Sequence, residues 1–284
     1  MSILLGGNII RCAHTLRLSH PPKMSHPIML KVTHNAGFFS CCSVRLDNIV
    51  AYYNKHRTLP EAVDSSEQFQ LYKPTPNSGD ITAAYFAEQV GQAAPEYTSK
   101  ILFKQEYQFW NYKKIQFQKI KPFVEFYFRP SAEILQLVQE LRNSVPTSQP
   151  ICVLFHRGND KATETALCPY EAYIKKAKEV QRANPAVHFF LQSDETEFLE
   201  TMTNAFPNSF YFGDRIRHIR KASTSVDLVF REGNFEASKQ YLAITIFMAS
   251  CAHIIFGSGN CSLWILLYRG NSNGVHQFLD GRWW

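Results

Sequence analysis

Polar and charged side chains are concentrated in one short stretch that directly follows an unbroken apolar run. Residues 151–155 (ICVLF) are all apolar, and the next nine positions contain five residues able to do chemistry. They are Arg157, Gly158, Asp160, Lys161 and Glu164. Arginine can hold a phosphate through two parallel hydrogen bonds, and glycine lets the backbone approach a ligand closely. The stretch therefore predicts an anion-binding loop, with a solvated loop closed by a salt bridge as the alternative.

Two further polar loops follow predicted strands in the second half of the chain. Strand 187–192 ends near Asp194, which suits either binding of a ligand hydroxyl or capping of the next helix. After strand 253–256, residues 257–260 (GSGN) open a helix whose first N–H groups form a ready anion site. An ordinary helix start with Asn260 as N-cap is the alternative. Because ligands bind outside the carboxyl ends of parallel strands, we expect the three loops to meet at one crevice.

The elements that must position these loops alternate regularly through the second half. Apolar runs predict five strands: 151–155, 187–192, 210–212, 253–256 and 275–279. Helical periodicity predicts four helices: 169–183, 196–206, 236–250 and 261–269. Strands that alternate with helices indicate an α/β fold with a parallel, doubly wound sheet. The segment 143–150, which contains two prolines, marks the boundary with the first half.

The first half opens with the same strand, loop and helix order. A strand is predicted at residues 29–32, a helix at 41–55 and a second strand at 59–63. This order is typical of a Rossmann-like unit, although the dinucleotide fingerprint G-x-G-x-x-G is absent. Residues 85–128 are dense in aromatic side chains and lysines. We interpret them as core, and stacking on a sugar or on single-stranded nucleic acid is the alternative.

Composition restricts the class of protein further. The 284 residues are 45% hydrophobic and 19% charged, which is typical of a globular protein. The net charge of +6 suits an anionic small ligand, and the absence of a Lys/Arg block argues against a nucleic-acid partner. Seven cysteines without disulfide or zinc spacing predict a reducing, cytoplasmic compartment, and no stretch is apolar enough to span a membrane, so we expect a soluble protein. Residues 1–28, which lack acidic residues and contain Pro21-Pro22, predict a disordered tail.

Four segments, taken together and in order, carry a resemblance to a known family. Residues 155–161 (FHRGNDK) resemble the H-Y-R-G-T-D-K element of fucosyltransferase-like glycosyltransferases, which include the α1,6- and nodulation-type enzymes. Residues 190–195 (FLQSDE), 249–255 (ASCAHII) and 258–262 (SGNCS) are similar to later segments of that family. The resemblance implies the GT-B fold, in which two Rossmann-like parallel-sheet halves face each other across a cleft. Residues 29–146 would then form the acceptor side, and residues 147–284 would bind the donor.

The same resemblance implies a reaction and a role for each matching residue. It implies inverting, metal-independent transfer of a sugar from a nucleotide-sugar donor to a hydroxyl of a glycan acceptor, such as one on a glycoprotein. Arg157 would hold the diphosphate, Lys161 would support it, and Glu164 would act as general base. The remaining donor-side candidates are Gly158, Asp160, Asp194, Ser258, Gly259 and Asn260. The acceptor-side candidates are Asn35 and Gly37, and neither a metal nor a cofactor beyond the donor substrate is expected.

Two departures from the family pattern keep other readings open. Phe155 stands where the family has a histidine, and Ala243 falls where a helix commonly carries an aspartate that reads guanine. The donor is therefore expected to be GDP-fucose-like or a UDP-sugar, and xylosyl transfer from UDP-xylose is one alternative. A catalytically silent nucleotide- or glycan-binding protein of the same fold is another. A family member without a membrane anchor would suit a microbe or a large virus.

Overall fold

The computed structural model describes residues 29–87 and 99–284. The predicted tail, residues 1–28, lies outside the described residues. The first half begins with strand β1 (Met29–His34), helix α1 (Phe38–His56) and strand β2 (Ala62–Gln68). The two strands pair in parallel, which confirms the predicted order of elements.

The second strand begins later than the sequence predicts. The prediction of 59–63 is wrong, because β2 runs from Ala62 to Gln68. Pro60 has no N–H group to donate to a strand ladder, so the chain joins the sheet only after it. This sheet has two strands among the described residues and is much smaller than a complete Rossmann-like half.

Among the described residues, the rest of the first half contains helices and no further strand. Short 3₁₀ helices at Gln105–Phe109 and Tyr112–Lys114 precede α2 (Phe117–Tyr127) and α3 (Ala132–Asn143). Most of the aromatic side chains here are buried, as the core interpretation predicts; examples are Tyr112, Phe117, Phe123, Tyr127 and Phe128. Phe109 and Trp110 are exposed exceptions.

The second half contains the larger sheet. Its strands are β3 (Ile151–His156), β4 (His188–Ser193), β5 (His253–Gly257), β6 (Val275–Leu279) and β7 (Arg282–Trp283). Its helices are α4 (Tyr170–Ala183), α5 (Thr196–Ala205), α6 (Val226–Phe230), α7 (Asn234–Ser250) and α8 (Asn260–Arg269). The strand order is β4-β3-β5-β6-β7, in which all neighbours are parallel except β6 and β7. The α/β fold with parallel sheets is thus confirmed. The predicted strand at 210–212 is wrong, because only Phe210 forms a single bridge, to Phe190.

The two halves share a continuous hydrophobic core. Trp264 of α8 lies 4.7 Å from Phe128 and 6.1 Å from Phe39 between ring centres. Its indole N–H donates to Ser43 Oγ at 2.9 Å, and that hydroxyl donates to Asn260 Oδ1 at 2.7 Å. These contacts hold α1 of the first half directly against the helix that opens with the 257–260 loop.

Candidate active site

A cavity of about 220 Å³ lies at the carboxyl ends of β3, β4 and β5, where the two halves meet. The three predicted loops converge there, as expected for parallel strands. Nine of the predicted site residues line it: Gly37, Arg157, Asp160, Lys161, Glu164, Asp194, Ser258, Gly259 and Asn260. Gly158 and Asn35 do not. The amide of Asn35 instead bonds the backbone of Glu67 and Gln70, at the end of β2.

Arg157 is one of the positive charges on the cavity wall. Its Nε lies 3.0 Å from Asp194 Oδ2, and its Nη2 donates to Asp160 Oδ1 at 3.0 Å. Burial lowers the pKa of Arg157, but Asp194 and the other acidic groups around it together raise that pKa well above its ordinary value, so the guanidinium is charged at every physiological pH. Its Nη1 faces Cys261 Sγ at the longer distance of 3.7 Å. This N–H group is only weakly engaged and can be offered to an anion.

Asp194 organises the backbone beneath Arg157. Its Oδ1 accepts from the Gly158 N–H at 2.9 Å, and its carbonyl accepts from Asn159 Nδ2 at 2.7 Å. Asn159 adopts a left-handed backbone conformation, with φ of 45°, which asparagine tolerates better than most residues. Asp194 does not cap its own helix, because Glu195 occupies the N-cap position of α5. The capping alternative is therefore wrong.

A second ion pair lies immediately behind the first. His156 Nε2 is 3.4 Å from Glu195 Oε2, and both side chains are buried. The Tyr170 hydroxyl donates to the other carboxylate oxygen. Burial raises the pKa of Glu195, but His156 and Tyr170 outweigh it and hold that pKa at about 2. A Cβ added at Gly158 would lie 1.5 Å from Glu195 Oε2, so glycine is required for packing against this carboxylate.

Lys161 and Glu164, which follow Arg157 in the same loop, form an ion pair at the cavity. The Lys161 ammonium also lies 3.4 Å from Gln108 Oε1 and 5.2 Å from the ring centre of Phe109. Its Cε would be 3.1 Å from a Cβ at Gly259, so the lysine stem lies across the 257–262 loop. The Glu164 side chain is about half exposed and is open to solvent at the cavity.

The N-cap of α8, in the 257–262 loop, is not the residue that the sequence analysis considered. Gly259 is the N-cap, so the interpretation of Asn260 as N-cap is wrong. The φ of Gly259 is 153°, and its N–H donates to the Tyr112 hydroxyl at 3.1 Å. The first intrahelical bond is donated by Leu263, so the N–H groups of residues 260–262 precede it and are available to an anion.

The sequence analysis missed several cavity residues. Arg215 and Arg217 enter from the segment between Phe212 and α7, and Tyr241 enters from α7 itself. Asp227 of α6 accepts a hydrogen bond from the Tyr72 hydroxyl at 2.7 Å, which joins the two halves across the cavity. Four basic residues in seven positions, 215–221 (RIRHIRK), were the available signal.

The two departures from the family pattern lie away from the cavity surface. Phe155 and Ala243 are both buried and neither lines the cavity. On α7 the cavity is lined by Ala237, Ser238, Tyr241 and Ile244. The side chain at position 243 is therefore not part of the cavity wall.

The described residues contain neither a candidate metal site nor a helix that could span a membrane. Among residues 29–87 and 99–284, no cluster of three or more His, Cys, Asp or Glu side chains could hold a metal ion. None of the helices in those ranges is both long and apolar enough to cross a bilayer.

The chain is similar in structure to sugar-transferring enzymes of known structure. Fucosyltransferase NodZ from Bradyrhizobium aligns with a TM-score of 0.58 and 12% sequence identity, over 92% of this chain and 98% of the other. NodZ alpha-1,6-fucosyltransferase soaked with GDP-fucose aligns with a TM-score of 0.54 and 13% identity, over 89% and 95% of the two chains. The same enzyme co-crystallized with GDP gives 0.56 and 13% over 92% and 98%.

These structural similarities confirm the predicted fold class, the GT-B fold of the fucosyltransferase-like glycosyltransferases. No protein-family model matches the sequence, and no curated protein matches it significantly. At 12–13% identity the likeness concerns the fold alone, so the chemistry must be argued from the cavity itself.

Proposed function

We propose that this chain is an inverting, metal-independent glycosyltransferase that moves a sugar from a nucleotide-sugar donor to a hydroxyl of a glycan acceptor. One observation carries the proposal. The Arg157 guanidinium and the N-terminus of α8 face the same cavity, in a fold whose solved relatives include an enzyme soaked with GDP-fucose. Residues 147–284 would bind the donor, and residues 29–146 would form the acceptor side.

The diphosphate would lie between Arg157 and the first turn of α8. An arginine and a row of helix N-terminal N–H groups together offset much of the charge of a diphosphate without a metal ion. As the bond to the sugar breaks, negative charge grows on the departing nucleoside diphosphate, and these fixed donors stabilise it. Lys161, whose stem lies across Gly259, would add a third positive contact.

Glu164 is the candidate general base. It lines the cavity, its carboxylate is open to solvent, and Lys161 holds it by an ion pair. A carboxylate in this position could take the proton of an acceptor hydroxyl as the oxygen attacks the sugar. Asp160 is the second candidate, because its oxygen also faces the cavity, but it is already paired with Arg157.

The base of the donor nucleotide is either guanine or uracil in this proposal. The solved relatives include complexes with GDP and GDP-fucose, which favours a GDP-linked sugar. The alanine at position 243, where the family commonly has an aspartate, is the observation that keeps a UDP-linked sugar in the proposal. Transfer from a UDP-sugar such as UDP-xylose is the other donor choice.

A thermal-shift panel of GDP, UDP and their sugar conjugates tests the donor assignment. A ligand that binds only the folded state raises the unfolding temperature, and at equal concentration a tighter ligand raises it more. We expect one nucleoside diphosphate and its sugar conjugate to stabilise the protein clearly more than the other. If neither base stabilises it, the nucleotide-sugar proposal is wrong.

Glu164→Gln separates a transferase from a silent binding protein. Loss of a general base lowers the transfer rate by roughly 10²–10⁴-fold and changes ground-state donor affinity little. We expect that result for Glu164→Gln, with transfer followed by mass spectrometry and nucleotide affinity by calorimetry. Full activity in this variant would move the base to Asp160. Tight nucleotide binding by a wild-type protein that transfers no sugar would identify a silent binding protein.

A further inference from the structure

Gln192 carries a buried carboxamide on the wall of the cavity. It lies near the end of β4, and only 4% of the residue is exposed. Its Oε1 has no hydrogen-bond partner among residues 29–87 and 99–284. A buried polar atom without a partner is destabilising, so such a group in a folded protein has a specific reason to be there. Because this side chain borders a cavity, a bound molecule can supply the missing donor.

The position of Gln192 relates it to the arginine of the candidate donor site. Side chains two positions apart in a strand point to the same side, so Gln192 faces the same way as Asp194. Asp194 is the residue whose Oδ2 lies 3.0 Å from Arg157 Nε. Along the strand, Gln192 is about 7 Å deeper than Asp194. A ribose spans a gap of this order between base and diphosphate, so a nucleotide held at Arg157 can reach Gln192 with its base.

Ile216 borders the cavity beside Gln192. The segment that contains this isoleucine runs along β4 and is bonded to it at two points. The Phe210 carbonyl accepts from the strand backbone at 2.9 Å, and the Ile219 N–H donates to the Asp194 carbonyl at 3.0 Å. Ile216 lies between these two points in the sequence, as Gln192 does on the strand side. The segment therefore provides an apolar wall at the level of the carboxamide.

Ile244 of α7 is the second apolar neighbour on the cavity wall. Phe247, one turn later, contacts Phe190 of β4 with 5.3 Å between ring centres. Phe190 and Gln192 share one face of the strand, and Ile244 and Phe247 share one face of the helix. Because α7 leads into the start of β5, which is parallel to the other central strands, it runs opposite to β4. Ile244 is thus closer than Phe247 to the carboxyl end of the sheet, at the level of Gln192.

A planar nucleobase is the ligand that suits these surroundings. A carboxamide presents an acceptor oxygen beside an N–H donor. Guanine and uracil both present the complementary edge, a carbonyl group next to a ring N–H, and either can form two hydrogen bonds with Gln192. Isoleucine side chains pack well on the faces of a heterocycle, whereas the hydroxyl groups of a sugar would be left without partners against them.

We propose that Gln192 binds the base of the donor nucleotide, with Ile216 and Ile244 packed against that base. The inference rests on the proposed function, because it assigns a place to one part of the nucleotide-sugar donor. It adds the residue that recognises the base and the chemical class of the base, a heterocycle with a carbonyl group beside a ring N–H.

Calorimetry with GDP, UDP and inorganic pyrophosphate tests the subsite without any turnover. Gln192→Leu replaces the carboxamide by an apolar side chain of similar size. We expect the affinity for the preferred nucleoside diphosphate to fall about tenfold or more, because the hydrogen bonds to the base are lost. The affinity for pyrophosphate, which has no base, should stay unchanged.

Three results of these titrations would overturn the proposal. One is a wild type that binds neither nucleoside diphosphate more tightly than pyrophosphate. Another is a folded Gln192→Leu variant that binds the nucleotide as tightly as the wild type. The third is an equal loss of affinity for the nucleotide and for pyrophosphate, which would mean that the substitution acts on the diphosphate site.

Gln68→Leu is the matched control. Gln68 is also buried and its Oε1 also lacks a partner among the described residues, but it does not line the cavity. Its Nε2 donates to the Cys41 carbonyl at 3.1 Å, so the leucine variant should lose stability and keep its nucleotide affinity. Gln192→Leu should do the reverse. A loss of nucleotide affinity in Gln68→Leu as large as that in Gln192→Leu would contradict a direct contact with the base.

Gln192→Glu distinguishes the two bases. Guanine has two adjacent donors, the N1–H and the 2-amino group, which a carboxylate can accept together. Uracil has one N–H between two carbonyl groups, which a carboxylate repels. We expect the ratio of GDP affinity to UDP affinity at pH 8 to rise at least about threefold in this variant. An unchanged ratio would contradict recognition of the base by this side chain.

Transfer assays separate this inference from the proposed function. In an active enzyme, Gln192→Leu should raise the KM for the donor about tenfold and leave the KM for the acceptor unchanged. An active enzyme with an unchanged donor KM would refute the subsite and leave the transferase proposal intact. A base-dependent loss of nucleotide affinity in Gln192→Leu, in a protein that transfers no sugar, would support the subsite and refute the transferase.

Discussion

Two ion pairs lie one residue apart at the ends of β3 and β4, yet their surroundings are opposite. Arg157 and Asp194 face the cavity, with 3.0 Å between Nε and Oδ2. His156 and Glu195 face the core, with 3.4 Å between Nε2 and Oε2, and are covered by Tyr170. Successive residues of an extended chain point to opposite sides, so two neighbouring strands supply both pairs at once.

The comparison distinguishes a charged side chain that can bind a ligand from a charged side chain that stabilises the fold. The Arg157 side chain is 23% exposed and retains an N–H group that only a sulfur atom contacts. Glu195 is wholly buried, and its carboxylate is surrounded by His156, Tyr170 and Lys221. Gly158 lies between the two pairs and touches both, through its N–H to Asp194 and its Cα against Glu195.

Replacing Gly158 by alanine should have the largest effect, because it disturbs both pairs. The new Cβ would lie 1.5 Å from Glu195 Oε2 and 3.1 Å from His156 Nε2, so the buried carboxylate must move. We expect Gly158→Ala to lose about 3 kcal/mol or more of unfolding free energy. Urea denaturation measures this, and nucleotide affinity should fall as well.

Gly79→Ala is the matched control for that substitution. A Cβ at Gly79 meets no atom within 4 Å, and its φ is not positive. Its unfolding free energy should stay within about 1 kcal/mol of the wild type. Equal stability of the two alanine variants would show that Glu195 does not pack against Gly158 as described.

Arg157→Ala tests the cavity pair alone. Loss of the guanidinium should weaken nucleotide binding at least about 100-fold, while the protein stays folded. Arg157→Lys should recover little of that affinity, since an ammonium cannot contact Asp194 and Asp160 in the same geometry and still offer an N–H group to the phosphate. Calorimetry on both variants gives the affinities, and circular dichroism verifies folding. Unchanged affinity in Arg157→Ala would remove this residue from the donor site.

Glu195→Gln tests the buried pair alone. The substitution takes the negative charge away from His156, and we expect it to cost on the order of 2 kcal/mol of stability. Nucleotide affinity of the folded variant should stay within about threefold of the wild type. A loss of affinity as large as that of Arg157→Ala would mean that the two pairs do not act separately.

The same variant has a distinct response to acid. Because the pKa of Glu195 is depressed from its ordinary 4.5 to about 2, its contribution to stability is complete above about pH 4.5. That contribution is lost as the pH falls from there toward about 2. Denaturation at a series of pH values should show the wild type and Glu195→Gln converging in stability as the solution becomes more acidic. A constant difference across that range would contradict the depressed pKa.

Asp160→Asn should have the smallest effect. Asp160 is one-third exposed and pairs with Arg157 Nη2, so it competes with an incoming phosphate for the same N–H group. Removing its charge should tighten nucleotide binding by about two- to threefold and change stability by less than about 1 kcal/mol. Calorimetry at low and high salt measures the nucleotide affinity, and the gain in affinity should decrease as salt screens the charge of Asp160. Weaker binding would instead assign Asp160 a direct contact with the donor.

The sequence predicted the larger sheet and its loops well for a physical reason. A strand buried on both faces reads as a continuous apolar run, and β3, β4 and β5 each do so. Their carboxyl ends must meet at one edge, which is why nine of eleven predicted site residues line one cavity.

The features that the sequence could not predict depend on contacts between residues that are distant in the chain. The Gly259 N–H is taken by Tyr112, 147 residues away, so no local pattern indicates that it is unavailable to a ligand. Arg215 and Arg217 lie in a segment without helical or strand periodicity, and only the fold brings them to the cavity. The start of β2 was misplaced because polar residues dominate that strand.

The hydrogen bonds of Ser43 have a consequence for folding during synthesis. Its hydroxyl accepts from Trp264 and donates to Asn260, partners more than 200 residues later in the sequence. During synthesis, α1 therefore emerges long before α8, the helix that covers it. Until α8 is made, the apolar face of α1, which includes Phe39, remains exposed to solvent. Contacts of such long sequence separation form slowly and leave aggregation-prone intermediates. We expect nascent chains that stop short of α8 to depend on chaperones, and complete chains to refold slowly.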